Sequence, residues 1–85
     1  MFAIGQVVFS KCGRDKGAAF VVTAEEGEYI WLVDGKLRKY SAPKKKKIKH
    51  VQVTYHIDVG LADKIERNAY LVDADFIKAL SAFNK

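Results

Sequence analysis

The sequence predicts a mainly-β domain: a small closed barrel of five short strands, followed by two short α-helices packed on it. Three observations predict it. Short runs rich in Val, Ile, Phe, Tyr and Trp recur at regular spacing through residues 1–54, separated by turn-forming residues. The apolar period then changes from that of strands to that of helices in residues 55–85. The chain has only 85 residues, so its core must be small and closed economically.

The elements follow in order. "GQVVFSK" (5–11) reads as the first strand and ends at Gly13. "AAFVVTA" (18–24) is the second, closed by the polar turn "EEGE", and "EYIWLV" (28–33) is the third. Asp34-Gly35 opens "DGKLRKY" (34–40), read as a tight hairpin turn leading into a fourth strand, because Asp-Gly suits the positive φ values of two-residue turns. "SAPKKKK" (41–47) is expected to be a loop: Pro43 has no ladder N–H and biases Ala42 to extended geometry. "IKHVQVT" (48–54) alternates as a final strand. Asp58 is expected to cap a helix holding Leu61, Ala62, Ile65 and Ala69, with Asn68 near its end. Asp73 is expected to cap a second, with Phe76, Ile77, Leu80 and Phe83 on one face. Asp75 in its first turn, and Lys78 and Lys85 later, suit the helix dipole. Both stripes are read as core contacts. The expected organisation is thus a barrel over residues 1–54 and a helical extension over 55–85.

Charge divides the chain at the same place. The whole carries +5, from 15 basic and 10 acidic residues. Residues 1–54 hold eleven Lys/Arg against five acids, a net +6, and residues 55–85 hold four against five, a net −1. The first part is therefore the expected binding surface, with a polyanion as partner. A surface charged for solubility is the alternative reading. One cysteine, Cys12, excludes an internal disulfide and suits a reducing cytoplasm. No secretory signal pattern or membrane-spanning run is read, and no lipidation motif or amphipathic basic helix points to a membrane partner.

No catalytic pattern emerges. His50 and His56 have no Ser or Cys at motif spacing, and Cys12 with the two histidines lacks paired metal-ligand spacing. "GRDKG" lacks the Lys-Ser/Thr that would follow the second Gly of a nucleotide loop. No cofactor is expected.

Two stretches fit phosphate instead. In "SKCGRDKGAAF" (10–20), Gly13 and Gly17 bracket a charged turn. Glycine permits positive φ and close approach of an outside backbone. Arg14 can fork onto phosphate, Lys16 adds a point charge, and turn N–H groups can form an anion-binding concavity. Asp15 cannot face phosphate; an intraloop hydrogen bond or a brace for Arg14 is its expected role. In "APKKKKIKH" (42–50), Lys44, Lys45, Lys46, Lys47 and Lys49 crowd five ammoniums into six residues, with Arg38 and Lys39 close before them. As exposed charges, they are expected to contribute little to folding. Tyr40, beside Arg38 and Lys39, is the aromatic expected to stack on a base, while Tyr29 and Trp31, on one face of the third strand, are read as structural. His50 is expected to be a half-buried, hydrogen-bonded imidazole.

"GQVVFSKCGRDKGAAFVV" resembles the KOW motif: a Gly, alternating apolar residues, then Gly-x-x-x-Gly with Lys before its second Gly. The order "GRDKG…FVV…VDGKLRK…PKKKKIKH" is similar to ribosomal protein family fourteen of the archaeal and eukaryotic large subunit, and closer to the small stand-alone bacterial KOW proteins related to it. The resemblance covers residues 5–54. It implies an SH3-like β-barrel that binds RNA in a ribosomal or translation setting, through Gly13, Arg14, Asp15, Lys16 and Gly17 at the turn and through Lys36, Arg38, Lys44, Lys45, Lys46, Lys47, Lys49 and His50. Ala18-Ala19-Phe20 departs from the further Gly that many KOW motifs place there. The expected function is recognition of structured RNA by phosphate contacts, without catalysis. The alternative is an SH3-like protein-interaction module that recruits a translation factor through its helices.

Overall fold

The computed structural model describes residues 2–84; Lys85 lies outside the described residues. Five strands form one antiparallel sheet: β1 (Gln6–Ser10), β2 (Ala19–Glu26), β3 (Tyr29–Val33), β4 (Lys44–Lys47) and β5 (Val51–Ile57). Their order is β4-β3-β2-β1-β5, so the chain makes a four-stranded meander and its last strand returns beside the first. Helices α1 (Val59–Glu66) and α2 (Asp73–Leu80) follow.

The apolar runs are continuous rather than alternating because both faces of the sheet are covered. Val7, Ala19, Val21 and Val33 lie on one face under Leu61 of α1 and Phe76 and Leu80 of α2. Val8, Phe20, Val22, Ile30, Leu32 and Val51 form the second cluster, with Phe2, Ala18 and Ile48 packed against it. The helices thus sit on the sheet as expected. At Gly35, a side-chain carbon would meet the Asp73 carbonyl oxygen and lie 2.9 Å from Ile77 Cγ1, so the loop after β3 packs directly on α2.

The fourth strand differs from expectation. Residues 36–40 are not a strand. The Asp34 carboxylate accepts from the N–H groups of Lys36 (2.9 Å) and Arg38 (2.8 Å), and the Arg38 carbonyl accepts from Asp34 and Gly35, so the segment winds on itself. The tetralysine expected as a loop is β4, paired along its length with β3 from Tyr29↔Lys47 to Leu32↔Lys44. Pro43 precedes this strand and removes no rung from it. Ile48–His50 forms one 3-10 turn, and β5 runs to Ile57, past the expected end at Thr54.

Asp58 caps α1 as expected, accepting from Leu61 N–H at 3.0 Å, and Asn68 takes the left-handed conformation (φ 58°) just past the helix. Asp73 is not the cap of α2. Val72 holds that position, and its N–H is bonded by Asp75 at 2.9 Å, while Asp73 reaches back to the N–H of Tyr40 at 2.8 Å.

Candidate nucleic-acid interface

The turn between β1 and β2 is held from inside. Gly17 N–H donates to the Ser10 carbonyl at 2.8 Å, Lys16 N–H to Gly13 and Ala18 N–H to Asp15. These three N–H groups are consumed by the turn, so they do not build the anion-binding concavity expected there. Gly13 and Gly17 both have positive φ, 88° and 89°. A Cβ on Gly17 would meet nothing within 4 Å, so only the backbone conformation demands glycine there. Gly17→Val is therefore expected to cost roughly 1–2 kcal/mol from strain alone. Thermal melting reads this directly, and an unchanged melting temperature would contradict it.

The Asp15 carboxylate does not brace Arg14 but holds two lysines of β4. Its carboxylate lies 2.6 Å from Lys44 Nζ and 3.1 Å from Lys46 Nζ. The Ser10 hydroxyl, with one proton for two acceptors, sits 2.7 Å from Asp15 Oδ1 and 2.9 Å from the Cys12 carbonyl. Lys46 also donates to that carbonyl at 3.0 Å. Burial alone would raise the Asp15 pKa; the hydrogen bonds from Lys44, Ser10 and Lys46, with the Lys46 charge, outweigh it and hold the carboxyl well below the usual carboxylate range.

The strand period explains which lysines do this. Lys44 and Lys46 pair with Leu32 and Ile30 and turn toward the face of the second core cluster, where Asp15 receives them. Lys46 is only 8% exposed. Lys45 and Lys47 pair with Trp31 and Tyr29 on the opposite face. There, Lys45 Nζ lies 4.3 Å from the Tyr29 ring centroid and 5.7 Å from that of Trp31. The tetralysine is thus two structural and two outward cations.

The remaining expected residues separate as follows. Arg14 of the turn and Arg38 of the loop after β3 line one open groove of about 320 Å3 with Asp15, Leu37 and Lys44. Lys47 and Lys49 line a second, of about 310 Å3, with Gly27, Glu28 and Ile48. Lys36 lies apart, in a cleft against α2 with Ile77 and Leu80. Lys39 is 4.0 Å from Asp73. Tyr40 is half-buried and stacks one face of its ring on Phe76, centroids 5.2 Å apart, at the edge of the core. His50 is half-buried in the 3-10 turn, where its carbonyl accepts from Lys11 N–H; among the described residues its imidazole has no hydrogen bond. Among the described residues, no carboxylate lies within ion-pair distance of Arg14, Lys16, Arg38, Lys45, Lys47 or Lys49.

Two contributions lay outside the expected set. Trp31 and Tyr29 are half-exposed beside Lys45, and alternation within "YIWLV" was the available signal. Leu37, 84% exposed, projects among the cations of its loop. No helix among the described residues is long and apolar enough to cross a membrane, and no three His, Cys, Asp or Glu side chains there could hold a metal ion. No protein-family model matches the chain, and no curated protein matches it significantly.

Proposed function

We propose that the protein is a non-catalytic RNA-binding module of the KOW type, an SH3-like barrel acting in the cytoplasm in a ribosomal or translation setting. The observation that carries this is the groove shared by Arg14 and Arg38, two guanidiniums from separate loops with no carboxylate partner among the described residues. Guanidinium forks match phosphate oxygens bidentately, and a loop pair of this kind grips a backbone without reading base identity. Asp15 sits at the groove but is neutralised by Lys44 and Lys46, so it does not repel a polyanion.

The barrel reading has its own support. β4 and β5 stand at opposite ends of the strand order but are joined by the three residues Ile48–His50. Four spacings of a flat sheet amount to about 19 Å. A 3-10 turn advancing about 2 Å per residue spans less than half of that, which favours a strongly curled sheet. Lys46 reaching from β4 to the turn after β1 favours the same curl.

The test is titration of a structured RNA at several salt concentrations. The expected result is binding whose logarithm falls linearly with log salt. Absence of salt-sensitive binding would overturn the proposal. A protein-interaction module is the second reading, favoured by one observation: edge strand β5 exposes Val53, Tyr55 and Ile57 at alternate positions, Tyr55 at 99%. Those side chains lie on β5, whereas the sequence favoured the helices, which turn Leu61, Phe76 and Leu80 onto the sheet and leave Val59 and Ile77 exposed. Binding of a protein through that stripe would persist at high salt.

A further inference from the structure

We propose that Trp31 is a stacking platform for an unpaired nucleobase of RNA, with Lys45 taking the adjoining phosphate. This rests on the RNA-binding reading and adds to it a preference for RNA with an unpaired base. A small domain has few large apolar side chains for its core. Yet the only tryptophan is left half-exposed on β3, while its neighbours Ile30 and Leu32 are fully buried. The position explains how. Trp31 stands between Ala24 of β2 and Lys45 of β4 in the register. Ala24 is small and exposed, so on that side no bulky neighbour covers the ring. On the other side the Lys45 ammonium sits closer to Tyr29 than to Trp31, 4.3 against 5.7 Å. The cation thus lies over both rings and nearer to Tyr29, which leaves the Trp31 ring the less closely covered by it. The indole N–H has no hydrogen-bond partner among the described residues and is not buried, so it can donate to a base or a phosphate. An aromatic face beside a cation without a carboxylate partner matches a base and the phosphate attached to it. Tyr40, the aromatic that the sequence favoured, is half-buried with one face on Phe76.

Because Trp31 is the single tryptophan, its fluorescence reports on this site without labelling. The probes are an RNA hairpin with a uridine loop and a blunt duplex of the same stem. The hairpin is expected to quench Trp31 saturably, and the duplex to bind with little quenching. Trp31→Leu should weaken hairpin binding about ten-fold, the usual order for one stacked base. It should leave duplex binding and the hairpin's salt slope unchanged, since no phosphate contact is lost. Trp31→Phe, which keeps a ring, should restore most of the affinity, and melting curves of both variants show that the fold is kept. Hairpin binding without quenching, or with equal affinity in the wild type and Trp31→Leu, overturns the stacking site while the RNA-binding reading stands. Failure of both RNAs to bind at low salt overturns the two together.

Discussion

Lys46→Ala is expected to lower stability by about 2–3 kcal/mol, whereas Lys45→Ala, one residue earlier, should change it by less than about 0.5 kcal/mol. The two lysines are identical in sequence context and opposite in orientation. The Lys46 ammonium is buried against Asp15 and the Cys12 carbonyl, and its loss leaves that carbonyl and a carboxylate only 12% exposed short of a partner. In a domain of this size the melting temperature should fall by roughly 10–15 °C. Asp15→Asn should cost a similar amount, since it strands Lys46 without its counter-charge. It should also change the acid limb of stability. With its pKa held below 3.8, the value of an unperturbed aspartate, Asp15 binds a proton more readily in the unfolded chain than in the folded one. Its contribution is complete well above pH 3.8 and is lost as pH falls through that value toward the folded-state pKa. Denaturant unfolding at a series of pH values should show this loss in the wild type and a flatter profile in Asp15→Asn. Equal, small effects of Lys45→Ala and Lys46→Ala would mean that Asp15 does not organise the turn.

The tetralysine also marks where sequence reading stops. Four lysines carry no strand preference, and a Pro before them looks like a loop. What makes them a strand is tertiary: a partner strand in β3 and one aspartate, 29 residues from Lys44, that absorbs the two inward charges. Lysines on an edge strand also discourage pairing with another chain. The apolar runs of β1, β2 and β3 were legible because burial on both faces needs no partner identity. Asp58 was legible because capping is local; Asp73 was not, because a distant backbone N–H, that of Tyr40, competes for its carboxylate. Asp34-Gly35 marked a turn correctly, but the Asp34 side chain bonds forward to Lys36 and Arg38 and winds a longer loop than a hairpin needs. Tyr40 was displaced for a related reason: that loop carries it onto Phe76. At the candidate interface, the two arginines were legible as charges, but only the fold brings them to one groove.

The double replacement Arg14→Ala with Arg38→Ala is expected to weaken binding to structured RNA on the order of 100-fold at low salt, if each arginine contributes about 1.5 kcal/mol through a charged contact. The slope of log K against log salt should fall by about 1.4–1.8, or roughly 0.7–0.9 for each lost phosphate contact. The loss should be similar across RNA sequences, because phosphates carry no base identity. Stability should hardly change: both side chains are exposed and neither is ion-paired among the described residues. In this respect they differ from Lys44 and Lys46, whose replacement would confound lost contacts with lost folding. Lys36→Ala is the control. It removes one positive charge, as Arg38→Ala alone does and from the same loop, but lies in the cleft against α2, away from the shared groove, so its effect on affinity should be several-fold at most. Binding isotherms at several salt concentrations, with melting curves alongside, separate these outcomes. If the double variant binds normally and Lys47→Ala with Lys49→Ala does not, the phosphate chain follows the β4 edge past Gly27 and Ile48. The Gly13 and Gly17 turn would then serve the fold, through Asp15, and not the RNA.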